Sequence, residues 1–348
     1  MKTILSILIF LLFLLTNCKP STQTNSVAVS NEKTIQAVAI FLVGEAFSGT
    51  NKLKVGSRIS VGEQVKLGAN STLDLQLLGT ETPISFRLKQ NTEFELQVNS
   101  SGELVNYSTE IKKGEGLFQV DKMRSKNENF RVVTPTSIAG VRGTKFRVGV
   151  NDKGTQTQVL EGQVAHRLRI PELEKISPVD LDKSTNLKQF DSELEKSELV
   201  LSNGELSEIN IIQQDSLKKE LGISSQELDS SKILELEKKL EKAKPKMPVL
   251  ELKKSSADNL KDLQEEFQEI VPILPEKLQS NLEGAINERN ELNKQLRKKV
   301  ITRQSTRILL KNGKIVSGII TEKDGINIIE TEEGVIEIPV SEVKEVLF

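Results

Sequence analysis

From Thr34 to Arg169 apolar side chains recur at every second position. Val65 and Leu67 alternate with polar neighbours, as do Leu73, Leu75 and Leu77, then Phe86 and Leu88, then Phe94, Leu96 and Val98. The same period returns at Phe118 and Val120, at Phe130 and Val132, and at Phe146, Val148 and Val150. A period of two puts such residues on one face of a strand. Gly56, Gly62, Gly68, Gly79, Gly102, Gly114 and Gly154 fall between or beside these runs, where tight turns need them. Many short strands with glycine turns predict an all-β roll or sandwich over 36–170.

Beyond Pro171 the pattern changes. Leu199-Val200-Leu201, followed by Ser202-Asn203-Gly204, reads as a last strand and turn of the β domain. Asp229 to Lys242 and Ser255 to Val271 have helical spacing, the second through Leu260, Leu263, Phe267 and Ile270. Ser255 with Asp258 three residues later resembles a helix-start cap. Pro245, Pro248, Pro272 and Pro275 separate the segments. Positions 278, 282, 285, 289, 292 and 296 then step by four and three, and all but Arg289 are Leu or Ala. That seam reads as half of a helical hairpin or a short coiled coil. Residues 171–300 are thus expected to form a charged, largely helical spacer, with oligomerisation through it as one option.

The final segment, 301–348, returns to strands. Lys311-Asn312-Gly313-Lys314, Asp324-Gly325 and Glu333-Gly334 are hairpin turns between apolar runs, the last holding Ile336, Ile338, Val340, Val343 and Val346. Four or five strands in so short a stretch predict a small SH3-like or Sm-like barrel. The expected fold class is multidomain α+β: an N-terminal all-β roll or sandwich, a central helical segment and a C-terminal small barrel.

The N-terminus adds an address. Met1-Lys2-Thr3 is a short positive start, and Ile4 to Leu15 is apolar except for Ser6. Residues 1–17 therefore read as a secretory signal, too short to span a bilayer as a helix. Leu15-Thr16-Asn17-Cys18 resembles a bacterial lipobox of the looser, spirochaete-like kind, since Asn17 stands where Gly, Ala or Ser is usual. The resemblance implies a diacylglyceryl group on Cys18, and acyl chains of that kind anchor firmly because each buried methylene contributes roughly 0.8 kcal/mol. Residues 18–35, rich in Ser, Thr, Asn and Gln, read as a flexible tether. Localisation is expected in the cell envelope, on the outer membrane at its periplasmic face or surface.

Composition narrows the chemistry. The chain of 348 residues has net charge −1, one His, one Cys and no Trp. Balanced charge gives no general attraction to nucleic acid. A single Cys excludes an intramolecular disulfide framework and a multi-thiolate metal site. His166, at a strand end, reads as an ordinary, partly exposed residue. Glu265-Glu266 and Glu332-Glu333 read as surface charge. No phosphate loop, zinc spacing or calcium loop occurs, so no catalytic residue, metal or cofactor is expected.

Phe130-Arg131-Val132-Val133-Thr134-Pro135-Thr136-Ser137-Ile138-Ala139-Gly140-Val141-Arg142-Gly143-Thr144-Lys145-Phe146-Arg147-Val148 resembles the signature of the FecR family. Gly154 to Val164 and Leu53 to Gly68 are similar to it too, so the resemblance covers roughly residues 37–170. It implies a strand, a turn at Thr134-Pro135, a corner at Gly140-Val141-Arg142-Gly143-Thr144 and a second strand from Phe146, with roles that are mainly structural. Arg142, in an otherwise apolar corner, reads as a buried guanidinium tying together backbone carbonyls or a carboxylate, the alternative being contact with a ligand or partner. FecR is known as a periplasmic sensor that passes an iron-uptake receptor's signal to a sigma factor. That role needs a cytoplasmic segment and a membrane span, and neither is read here, so direct sigma-factor regulation is not expected. What the resemblance carries over is binding: of a protein partner or a cell-wall glycan, by a non-enzymatic lipid-anchored envelope protein. The alternatives are a signalling accessory docked on an outer-membrane receptor and a carboxylate-dependent glycan hydrolase.

Overall fold

The alternating apolar residues meet one another across two stacked β layers. The computed structural model describes residues 35–101, 104–122, 127–224 and 228–347; the signal sequence, Cys18 and all but the last residue of the tether lie outside them. The chain first runs through β1 (Gln36–Val43), β2 (Ala46–Ser48), β3 (Asn51–Lys52), β4 (Arg58–Ser60), β5 (Gln64–Leu67), β6 (Thr72–Leu78) and β7 (Ile84–Leu88). It continues through β8 (Glu93–Ser101), β9 (Leu104–Val120), β10 (Glu128–Val133), β11 (Ser137–Val141), β12 (Thr144–Asn151), β13 (Gly154–Glu161) and β14 (Val164–Leu168). Helices α1 (Pro178–Lys183) and α2 (Thr185–Lys196) precede β15 (Leu199–Leu201) and β16 (Glu205–Asn210). Next come α3 (Ile211–Leu221), α4 (Ser230–Lys242), β17 (Leu252–Lys254), α5 (Ala257–Glu269), α6 (Pro275–Ser280), α7 (Leu282–Glu288) and α8 (Asn290–Gln304). The last strands are β18 (Thr306–Leu310), β19 (Ile315–Lys323), β20 (Ile326–Glu330), β21 (Val335–Pro339) and β22 (Val343–Leu347).

Layer A has the order β4-β1-β6-β7-β9-β12-β13-β16-β17. Layer B has the order β3-β2-β5-β8-β9-β10-β11-β14-β15. Strand β9 serves both: residues 104–113 pair in B and 114–120 in A. The switch falls at Gly114, whose φ is +92° and where a Cβ would lie 2.5 Å from the Thr92 Cα. Only glycine takes that backbone at no steric cost. Between the layers Phe86, Phe94, Phe118, Phe130 and Phe146 are fully buried. Phe118 lies 5.5 Å from Phe86, 6.0 Å from Phe130 and 5.2 Å from Phe146, so the rings form one connected core, and such pairs contribute about 0.5–1.5 kcal/mol beyond burial.

His166, on β14, points into this interior. It is fully buried rather than partly exposed, because its strand partners Ala139 and Leu199 lie on both sides and layer A covers its face. Its Nε2 is 3.3 Å from Thr157 Oγ1 on β13 of the facing layer.

The residues that alternate with the core leucines of layer A are buried too. Asp74, Gln76 and Arg87 lie on the outer face, beneath the segment that follows β17. Arg87 Nε and Nη2 donate to Asp74 at 2.6 and 2.8 Å, and Nη1 donates to Glu269 of α5 at 2.7 Å. Arg303 of α8 donates to the same Glu269. Burial alone would lower the Arg87 pKa, but the two carboxylates outweigh it and hold the group charged. Gln76 accepts from the Ile273 N–H at 2.8 Å and donates to its C=O at 2.6 Å. Around these contacts Leu263, Phe267 and Ile270 pack on Leu117, Leu278 and Ala285 on Val38 and Ile40, and Leu296 and Val300 on Phe41.

The heptad-like seam from 278 to 296 is thus spent on a sheet, not on a second helix. It is broken into α6, α7 and α8, and Arg289, its polar break, donates to the Ile40 C=O at 3.2 Å. The cap of α5 is Ser256, accepting from the Asn259 N–H, one residue beyond the expected Ser255. Strand β15 pairs with β14 as the last strand of layer B, as its sequence suggested. Helices α2, α3 and α4 gather over the end of the layers through Leu187, Phe190, Leu217, Leu236 and Leu240. The three expected C-terminal hairpin turns form, giving an antiparallel sheet of order β21-β20-β19-β18-β22. Glu330 of that sheet accepts from Arg297 at 2.6 Å and from the Gly44 N–H at 3.1 Å.

Two stability measurements follow from these buried groups. Arg87→Met strips Asp74 of its partner and is expected to cost about 3–5 kcal/mol in urea unfolding. Adding Asp74→Leu should recover part of that loss, and a single variant as stable as the parent would mean the pair does not hold the helices. Burial lowers the His166 pKa from 6.5 to about 3, so its stabilising contribution is complete above pH 6.5 and is lost steadily as pH falls towards 3. His166→Gln should therefore remove a loss of about 2 kcal/mol between roughly pH 6.5 and pH 5, seen as a flatter stability profile than that of the parent.

Candidate functional site

Helices α5 to α8 cover the outer face of layer A over β1, β6 and β9 and leave a hollow at its far side, lined by Gly149, Gln156 and Glu208 among others, while the outer face of layer B is accessible over β10, β11 and β14. Its residues follow from alternation: while Phe130, Val132, Ala139 and Val141 point inward, Asn129, Arg131, Ile138, Gly140, Ala165 and Arg167 point outward. Two hollows lie along this face. The open one, about 560 Å³, is lined by Asn129, Arg131, Arg142, Arg167 and Val200 among others. The second, about 400 Å³, continues past Arg131 and Arg167 to Arg169, beneath α2 and the turn Leu173–Lys175.

The arginines differ in their surroundings. Arg169 is held at 3.1 Å from Glu110, at 2.7 Å from Glu174 and at 2.9 Å from the Thr134 C=O. Among the described residues the one ion pair of Arg167 is with Glu195, at 4.0 Å. Arg131 has no carboxylate within ion-pair distance among the described residues, and its buried Nε–H has no acceptor. Burial lowers its pKa, Arg167 and Arg169 push the same way, and Glu174 opposes them. On the facing helix Asp191 has a raised pKa, first through burial and then through Glu195.

The FecR-like motif frames this face. Thr134 is buried, and its Oγ1 accepts from the Ser137 N–H at 2.9 Å and meets Thr155 Oγ1 at 2.7 Å, while Pro135 is exposed at the tip of the turn. Gly140 lies on the floor of the open hollow, and Val141 and Phe146 belong to the core. Gly143 carries the chain from layer B to layer A at φ +93°, where a Cβ would lie 2.9 Å from the Lys122 Cα. The return corner at Gly162 stacks directly on it: a Cβ there would come 2.5 Å from the Gly143 oxygen, and Thr144 Oγ1 donates to the Gln163 C=O at 2.8 Å. Arg142 departs from the buried guanidinium expected of it. Its side chain is exposed, because the corner turns it outward between the inward-facing Val141 and Thr144. Cys18 lies outside the described residues, and Arg131 was not singled out by the sequence. Its only sequence signal is a cation at an outward position of a strand rich in core residues.

The comparisons bear on this same stretch. Residues 63–165 match the family model described as FecR protein, a span running from just before β5 into β14. Two crystal structures of an anti-sigma factor candidate from Parabacteroides distasonis ATCC 8503, at 1.65 and 2.50 Å resolution, resemble the chain at 14% identity with a TM-score of 0.31. Each comparison covers 57% of this chain and 62% of the other, so the chain spans less than two thirds of the length of the structures it matches. No curated protein matches the chain. Residues 63–165 are a FecR domain, and one open face of it is the arginine-bearing side of layer B.

Proposed function

We propose that this is a non-enzymatic, lipid-anchored envelope protein whose FecR domain binds a protein partner on the outer face of layer B, as an accessory in sensing or signalling. The observation that carries the reading is an open hollow beside an edge strand. Much of layer A is covered by α5 to α8, whereas layer B keeps an open hollow that ends at β15, a strand that pairs with β14 alone among the described residues. Val200 of β15 is 48% exposed there. A face carrying Arg131, Arg142 and Arg167, with Glu195 and Glu198 at its rim, beside an exposed edge strand suits an extended protein segment. A protein is favoured over a glycan because sugar-binding surfaces commonly need exposed aromatic rings, and here Phe130 and Tyr107 are buried and the chain has no Trp. The FecR domain supports envelope association, and among the described residues no helix is long and apolar enough to cross a membrane. The order of the C-terminal sheet, in which the first strand lies between the second and the fifth, supports an SH3-like reading of 301–348.

A photo-crosslinking residue placed at Val200 or Arg142 in cells is expected to capture one envelope protein, identified by mass spectrometry, while the same residue at exposed Val335 does not. Capture of peptidoglycan fragments alone would move the reading to glycan binding. The anchor has its own test. Cys18→Ser should shift the protein from the membrane pellet to the soluble fraction, and retention in the pellet would remove the lipid from the proposal.

A further inference from the structure

We propose that the hollow beneath α2 binds an amphiphilic oxyanion, a carboxylate or phosphate head on a short aliphatic stem. The inference does not rest on the partner-binding reading, since it concerns a small ligand in the neighbouring hollow. Its first support is Ser108. In the layer B half of β9, Tyr107 and Ile111 face the core, so Ser108 faces outward. It sits opposite Arg131 on β10 and Gln97 on β8, and both of these line the hollow. Ser108 is fully buried, yet among the described residues its Oγ has no hydrogen-bond partner.

The second support is Arg131 itself, whose buried Nε–H also lacks an acceptor. Two adjacent donors without acceptors are an exception that a folded protein normally avoids, and one oxyanion satisfies both. The standing carboxylates do not do so. Glu110 and Glu174 are held by Arg169, and Asp191 approaches from the opposite helix without an ion pair to Arg131. Arg167, itself only 4.0 Å from Glu195 at best, supplies a second cation beside the first.

Away from the arginines the wall becomes branched and aliphatic, through Val133, Ile138, Ile170, Leu173, Leu187 and Leu194. A head satisfied by Arg131 and Ser108 would lead its stem along these side chains. The volume of about 400 Å³ falls within the roughly 300–1,000 Å³ of small-ligand sites. Cationic donors at one end and aliphatic walls at the other distinguish this hollow from a site for inorganic anions.

The test uses the full-length chain carrying Cys18→Ser, so that it bears no lipid on that residue. Decanoate and decyl phosphate, below their micellar concentrations, are titrated calorimetrically beside acetate, inorganic phosphate and decanol. One-site saturable binding of decanoate or decyl phosphate is expected, at least about ten-fold tighter than that of the headless or tailless controls. The preferred head then separates a fatty-acid source from a phospholipid-like one. Arg131→Gln and Ser108→Ala, each checked for an unchanged urea midpoint, should both weaken binding, the first by about ten-fold or more. Absence of saturable binding overturns the proposal, as does equal affinity for decanol. Inorganic phosphate binding as tightly as decyl phosphate would also overturn it, and so would binding unchanged in whichever of the two variants folds.

Discussion

Burying the Arg87 guanidinium constrains how the later part of the chain can lie on the earlier part. The group sits between Asp74 on the neighbouring strand and Glu269 at the end of α5, with almost no access to water. Ion pairs at such depth need not add net stability, because each charge must first lose its hydration. What they do here is restrict arrangement. Leu263, Phe267 and Ile270 could slide along an aliphatic sheet with little change in buried area. A slide of one turn, however, would leave Glu269 or Asp74 without its partner, at a cost larger than the gain from any new apolar contact. Gln76 reinforces the register by meeting both backbone groups of Ile273.

Fixing the helices on layer A has a consequence for layer B. A two-layer β structure has two outer faces, and this chain covers much of one with α5 to α8 while α1 and α2 shelter only an end of the other. The FecR motif contributes to that geometry through its backbone more than through its side chains. Gly143 and Gly162 stack two crossings between the layers against each other, and neither tolerates a side chain. The stacked corners bring β11 and β14 side by side and set Arg131, Arg167 and Arg169 on a common outward surface. The same alternation drives His166 inward, where burial keeps it neutral.

Much of this was legible in the sequence wherever the cause was local. Period two marked the inward phenylalanines, and glycines marked the positions where the backbone needs positive φ. The Asn312-Gly313 and Asp324-Gly325 pairs announced their hairpins. The helical spacing of 230–242 and 257–269 was readable to within a residue or two at each end. The seam from Leu278 to Leu296 was readable as apolar but not as to its partner, since a stripe of leucines packs equally well on a helix or on a sheet. Arg142 was misplaced for a related reason: apolar neighbours in sequence say little about which way a corner turns a single side chain.

The sequence by itself determined the β layers, their glycine corners, the FecR motif and the turns of the C-terminal sheet, because each depends on backbone sterics and alternation over a few residues. Only the tertiary structure decided which polar residues would be buried, which face would stay open and which charges would lack a partner. Asp74 and Arg87 look like ordinary solvent-facing strand residues until Glu269, 182 positions from Arg87, is laid over them. Arg131 looks equally ordinary until Glu110 and Glu174 beside it are seen to be held by Arg169. The cost of burying a charge depends on what lies above it in space, and a linear pattern of neighbours does not contain that information.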